Sequence, residues 1–290
     1  MQSPAVDRLW PPDNALDPYK PMLIQCGYDI EFFTPASITL LALLRVHPSG
    51  QHNVRGSDKI VVEGGRVVDE FTDAFGNLAV RILSNPGILH LSTRMIVEAT
   101  GREDEIKWDA IQHPLEELPP ETLLYLMSSR YCEVDLLTPL AWELFGYLAP
   151  GWSRVLGILN WVHNKVEFGY RFARPTKTAL DVLNERTGVC RDYQHLAITF
   201  CRAMGVPARY VSGYLGDIGV PLSDTPMDFS AWFEVYLEGQ WRTVDARHNR
   251  PRIGRILMTT GRDATDVAIT TAFGSAPLRR FEVITDEIKA

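Results

Sequence analysis

Cysteine, basic charge and long apolar runs are all in short supply in this sequence, and each shortage removes a class of protein. Only four cysteines occur in 290 residues, Cys26, Cys132, Cys190 and Cys201. None forms a CxxC pair of the kind that holds zinc or runs dithiol chemistry. Cys190 and Cys201 fall in one helical pattern about 16 Å apart, too far to bridge, so reduced thiols in the cytoplasm are the reading. Lysine and arginine number 29 against 36 aspartates and glutamates, a net charge of -7. That balance supplies no basic stripe for a phosphate backbone and argues against a nucleic-acid partner.

The longest apolar stretch, Ile38 to Val46, is far short of the roughly 20 residues needed to cross a bilayer. The first residues, MQSPAVDRLWPPDNALDPYK, place acids and prolines where an export signal needs a basic and then an apolar segment. A cytoplasmic protein without membrane contact is expected. There is no internal repeat and no low-complexity segment.

What remains is ordinary globular composition, 46% hydrophobic and 22% charged, enough for a packed core. Residues 1–21, with five prolines, read as a tail. Residues 22–112 read as an all-β domain. Every second residue is apolar in Cys26, Tyr28, Ile30, Phe32 and again in Leu89, Leu91, Met95, Val97. Pro48-Ser49-Gly50, Gly64-Gly65 and Gly76-Asn77 sit between them at hairpin spacing.

From residue 113 to 290 the pattern is mixed. Stripes at Leu123, Leu126, Met127 and at Leu136, Leu140, Leu144, Tyr147 predict helices, as does Val155, Leu159, Val162, Val166. Residues 176–186 predict a short helix capped by Thr176 or Thr178. The next helix begins at Cys190, carries Tyr193, Ala197, Phe200, Cys201 and Met204 at helical spacing, and stops at Gly205-Val206-Pro207. A thiol at a helix start faces unpaired N–H groups and the positive end of the macrodipole, which favours thiolate. Gly188 lets the backbone turn tightly into that helix.

Ala208 to Leu215 predicts a strand, and Ser230 to Leu237 predicts a hairpin returning through Trp241, Thr243 and Asp245. If Leu237 pairs with Gln240, residues 230 and 245 are diagonal neighbours on one face.

Three motifs carry a resemblance: Thr187-Gly-Val-Cys190-Arg-Asp-Tyr-Gln-His195, Gly205-Val-Pro-Ala-Arg-Tyr-Val-Ser-Gly-Tyr214, and Ala231-Trp-Phe-Glu-Val-Tyr-Leu237 with Trp241-Arg-Thr-Val-Asp245. In this order they resemble the bacterial transglutaminase-like superfamily over about residues 150 to 275. Asp73-Ala-Phe-Gly-Asn77 resembles the β-rich domain that often precedes such cores. The resemblance implies a papain-like α+β core and a Cys-His-Asp triad with Cys190 as nucleophile and Asp245 as acid.

The family's His-Ala-Trp is Ser230-Ala231-Trp232 here, so the position of the base holds a serine that can neither accept the thiol proton nor return it near neutral pH. His248 is the candidate substitute, although continued strand geometry would put it on the face opposite Asp245. His195 reads as a hydrogen-bonded helix histidine. Trp232, Arg191 and Tyr214 are the candidate substrate-binding residues.

Two functions stay open. One is thiol acyl transfer on a peptide or carboxamide bond through an acyl-Cys190 intermediate. The other is a silent domain that binds a peptide or protein. Neither requires a cofactor or metal, and no calcium-loop pattern is evident.

Overall fold

The computed structural model describes residues 21–223 and 226–289; the expected tail lies outside these but for Pro21. Alternation governs the first part. Strands β1 (Met22–Thr34), β2 (Thr39–Ala42), β3 (Val54–Arg55), β4 (Val61–Glu63), β5 (Gly65–Thr72), β6 (Leu78–Ser84) and β7 (Gly87–Ala99) form two antiparallel sheets. Ile24, Cys26, Tyr28 and Ile30 of β1 point into a core shared with Leu40, Ile82, Leu89 and Leu91.

The second part contains helices α1 (Pro120–Leu123), α2 (Val134–Phe145) and α3 (Trp152–Lys165), a short parallel pair β8 (Glu167–Phe168) and β9 (Thr187–Gly188), and helices α4 (Ala179–Glu185) and α5 (Cys190–Ala203). They pack on an antiparallel sheet of β10 (Ala208–Tyr214), β11 (Ser230–Leu237), β12 (Gln240–Val244) and β13 (Ile256–Gly261), in the order β12-β11-β10-β13. Thr178 caps α4 by accepting the Asp181 N–H. Helix α5 is buried from Asp192 to Arg202 and forms the centre of this core, an α+β arrangement as expected.

Gly205, at φ 76°, ends α5 in the left-handed backbone that glycine tolerates. A Cβ on Gly188 would lie 2.7 Å from the Asp192 Cβ, so only glycine admits this close approach at the start of α5.

Two sequence expectations are corrected. The buried stripe of α2 is Leu137, Ala141 and Phe145, while Leu136 and Tyr147 are exposed. The stripe predicted at Leu123, Leu126 and Met127 is likewise mostly outward, with Thr122 and Tyr125 turned in instead. A leucine spaced every four residues marks a face without saying which face meets the core.

The second concerns the C-terminal end of the region 113–290, not its start at residue 113. Strands β14 (Thr270–Phe273) and β15 (Leu278–Glu287) leave the core and pair with β2 and β1. The helical core is thus inserted between strands of the β layers, because β1 is satisfied on one edge by β7 and on the other by β15. The turn at Asp73–Asn77 adds a further tie. The buried Asn77 amide donates to the Thr260 carbonyl and accepts the Thr260 N–H, at 2.9 and 2.8 Å, on edge strand β13.

Candidate active site

Cys190 is the first residue of α5. The Asp192 carboxylate accepts the Val189 N–H at 3.0 Å and fixes the approach to that helix. The thiol is half-buried. Burial pushes it up; Arg247 and the backbone N–H groups of Arg191 and Ala231 pull against that, Asp228 reinforces it, and the net direction is upward. Burial thus opposes the thiolate-favouring effect expected of the helix start.

The hairpin of β11 and β12 has the expected register, Leu237 opposite Gln240 through Phe233 opposite Val244. It ends there. Asp245 begins a turn in which the Asn249 N–H reaches back to the Asp245 carbonyl at 2.9 Å, with Asn249 at φ 51°. This turn reverses the direction of residue 248. The Asp245 carboxylate accepts the Arg247 and His248 backbone N–H groups at 2.9 and 3.1 Å, and His248 Nδ1 lies 2.8 Å from Asp245 Oδ2. Strand geometry had placed His248 on the far face; the turn overrides it.

Two residues not singled out in the sequence hold the acid. Gln194, one helical turn after Cys190, donates to Asp245 Oδ1 at 3.0 Å and to the Ala231 carbonyl at 3.1 Å, and accepts the Ala246 N–H at 3.1 Å. One amide thus ties α5 to both strands. Arg255 donates to Asp245 Oδ2 at 2.9 Å and to Asp104 at 2.8 Å. Burial alone would push the Asp245 carboxyl up, but Arg255 and the His248 hydrogen bonds hold it well below the usual carboxylate range. His248 is lowered by burial, against the opposing pull of Asp245, and is neutral near pH 7. With Nδ1–H given to Asp245, its Nε2 carries the lone pair.

Cys190, Ser230 and His248 line one narrow cleft of about 90 Å³, together with Tyr170, Asp228 and Arg247. A larger cavity of about 830 Å³ is lined by Thr100, Asp104, Arg252 and Arg255 and not by Cys190. The smaller one holds the candidate nucleophile and the candidate base. Size does not outweigh the absence of a nucleophile.

The three candidate substrate-binding residues are placed elsewhere. Tyr214 is fully buried against Phe229, ring centroids 5.2 Å apart, because strand alternation turns it toward the β layers. Trp232 is buried beneath the Arg255 guanidinium, 4.9 Å from its centroid. Arg191 donates to the Arg174 carbonyl and to Asp192 at 2.6 and 3.0 Å. None of them lines the cleft.

His195 is buried and stacked on Tyr131 at 5.0 Å. Its Nε2 accepts the Ala264 N–H at 3.2 Å, and burial pushes the imidazole down to about 3. Among the described residues a metal-type cluster occurs at Asp29, Glu31 and His90, on the β layers. Salt bridges from Arg280 to Asp29 and from His90 to Asp29 and Glu63 engage two of these three side chains. No helix among the described residues is long and apolar enough to cross a membrane.

An α+β core that starts its central helix on a cysteine, beside a sheet ending in an Asp–His pair, has the architecture of a thiol-peptidase-like domain. Residues 145–246 match the transglutaminase-like superfamily. The chain carries a transglutaminase-like domain over those residues.

A crystal structure of a provisionally assigned cysteine protease from Cytophaga hutchinsonii superposes with a TM-score of 0.73 at 27% identity, over 93% of this chain and 92% of that one. An uncharacterized protein of Mycobacterium leprae is 31% identical over 120 residues, 39% of this chain and 42% of that protein. Human kyphoscoliosis peptidase is 32% identical over 103 residues, 32% of this chain and 15% of the peptidase. The matched region thus spans less than half of each of these curated relatives.

Proposed function

We propose that the chain is a thiol acyl-transfer enzyme acting on a peptide or carboxamide bond of a peptide or protein. The observation that carries this reading is the 2.8 Å contact of His248 Nδ1 with Asp245, in the cleft that Cys190 also lines. It supplies an oriented imidazole in place of the one missing at Ser230.

In this reading His248 Nε2 takes the Cys190 proton as the sulfur–carbon bond forms. The same proton passes to the departing amine as the carbon–nitrogen bond breaks, leaving acyl-Cys190. Water or an acceptor amine then displaces the thiol. Asp245 orients the imidazole and offsets its charge, while Gln194 and Arg255 hold Asp245. The Arg191 and Ala231 N–H groups beside the sulfur are suited to carry charge developing there.

The pH dependence of Cys190 alkylation by iodoacetamide tests it. His248→Ala is expected to slow alkylation near pH 7 by about 10²-fold or more, the scale of a lost general base, and to move the apparent pKa. An unchanged profile in that variant, with activation only by Ser230→His, would instead identify a binding domain without catalysis.

A further inference from the structure

Four arginines surround the Cys190 site, and three have a carboxylate close by. Arg255 pairs with Asp245 at 2.9 Å, Arg191 with Asp192 at 3.0 Å, and Arg252 lies 3.8 Å from Asp217. Arg247 is the exception: among the described residues it has no ion pair, and its guanidinium rests 4.1 Å above the Phe168 ring. It lines the cleft with Cys190. An uncompensated guanidinium beside a nucleophile is suited to a planar anion, which accepts two parallel N–H bonds from it.

Its one side-chain hydrogen-bond partner among the described residues makes the position consequential. Arg247 Nη1 lies 3.2 Å from His248 Nε2. Because Nδ1–H is given to Asp245, Nε2 has a single lone pair, and an arginine can only donate to it. The atom that must take the thiol proton is therefore occupied. A proton on Nε2 and the Arg247 N–H cannot share that contact.

We propose that Arg247 is the carboxylate-binding residue of the cleft, and that a substrate carboxylate next to the scissile bond draws it off His248 and frees the base. This rests on the acyl-transfer reading and narrows it to acyl donors with an acidic side chain or a terminal carboxylate near the reacting carbonyl. Arg247 is a specificity and positioning residue here. Its backbone is already fixed, since its N–H donates to Asp245 and its carbonyl lies 2.8 Å from His163 Nδ1, so only the side chain need move. Asp228 and Asp217 line the same cleft. Asp217 is engaged by the Ser223 N–H at 2.7 Å, which leaves Asp228 as the internal competitor for Arg247.

The test uses acetate as the carboxylate probe and the side-chain ¹⁵N resonances of His248 as the readout, titrated with pH in the full chain. Acetate is expected to raise the His248 pKa in the wild type. Arg247→Gln should raise it without acetate and abolish the response, while Arg252→Gln keeps the response. Alkylation supplies a second measure: Arg247→Gln should lower the iodoacetate-to-iodoacetamide rate ratio by about tenfold, the scale of one close charge.

A wild-type His248 unmoved by saturating acetate overturns the proposal, and this needs no variant to fold. So does an acetate response that survives in Arg247→Gln. Acetate sensitivity with a catalytically silent Cys190 would leave the anion site standing and remove the acyl-transfer reading; an active site blind to acetate would do the reverse.

Discussion

Two histidines near Cys190, one buried and one half-buried, make an instructive pair. His195 and Asp263 lie on one side of α5, His248 and Asp245 at the end of the hairpin. In both, burial lowers the imidazole and a nearby aspartate opposes it. Yet Asp263 spends its carboxylate on the Tyr131 and Thr265 N–H groups at 2.8 Å each, while His195 Nδ1 has no hydrogen-bond partner. Asp245 instead bonds His248 directly. Proximity of an acid to an imidazole defines nothing; what matters is whether the acid has a lone pair left to accept the imidazole N–H, and whether the other nitrogen meets a cleft.

The sharpest way to break the contrast is Asp245→Ala. It leaves Arg255, whose side chain is 6% exposed, with Asp104 as its one carboxylate, and it removes the acceptor of the Gln194 and His248 side chains; a partly uncompensated buried charge together with these lost bonds costs about 3 kcal/mol. Urea unfolding should show that loss, and the alkylation profile of Cys190 should change with it.

His195→Leu is the matching change on the other side. It leaves the Ala264 N–H without its acceptor, costing about 1–3 kcal/mol, and should leave the alkylation pKa of Cys190 where it was. If the profile moved, the two histidines would not be separable as argued.

The smallest effect is that of acid. Asp245 is ionised in the fold well below the ordinary carboxylate range, so its contribution is complete above about pH 4 and is lost as pH falls further, at up to about 1.4 kcal/mol per pH unit. Stability curves of the wild type and Asp245→Asn should differ in slope below that pH and run parallel above it.

The same contrast explains what the sequence could and could not disclose. Helix α5 and the β11–β12 hairpin follow from periods of 3.6 and 2, and Gly239 at φ 75° closes the hairpin in the register that the turn length implies. His248 lies beyond the last residue that any period governs. Its placement depends on a five-residue turn, Asp245–Asn249, that strand alternation misassigns. Gln194 did leave a signal, as a polar residue one turn from Cys190 on a helix buried along its length. Arg255 left none, since nothing local links it to an acid ten positions earlier. Tyr214 and Trp232 were misjudged because the motif places them near the cleft in sequence, while alternation turns the first toward the β layers and Arg255 covers the second.

The pairing of β1 with β15 sets the order in which the molecule can be completed during synthesis. Ile24 meets Glu287 and Phe32 meets Leu278 across that ladder, whereas Cys190, Asp245 and His248 have all been made before the first residue of β15. The helical core can therefore close around its nucleophile on the ribosome while one edge of β1 still awaits its partner. Until β15 arrives, that edge exposes unpaired backbone groups, making the interval between core closure and sheet closure the stage at which a nascent chain is most open to chaperone capture or self-association.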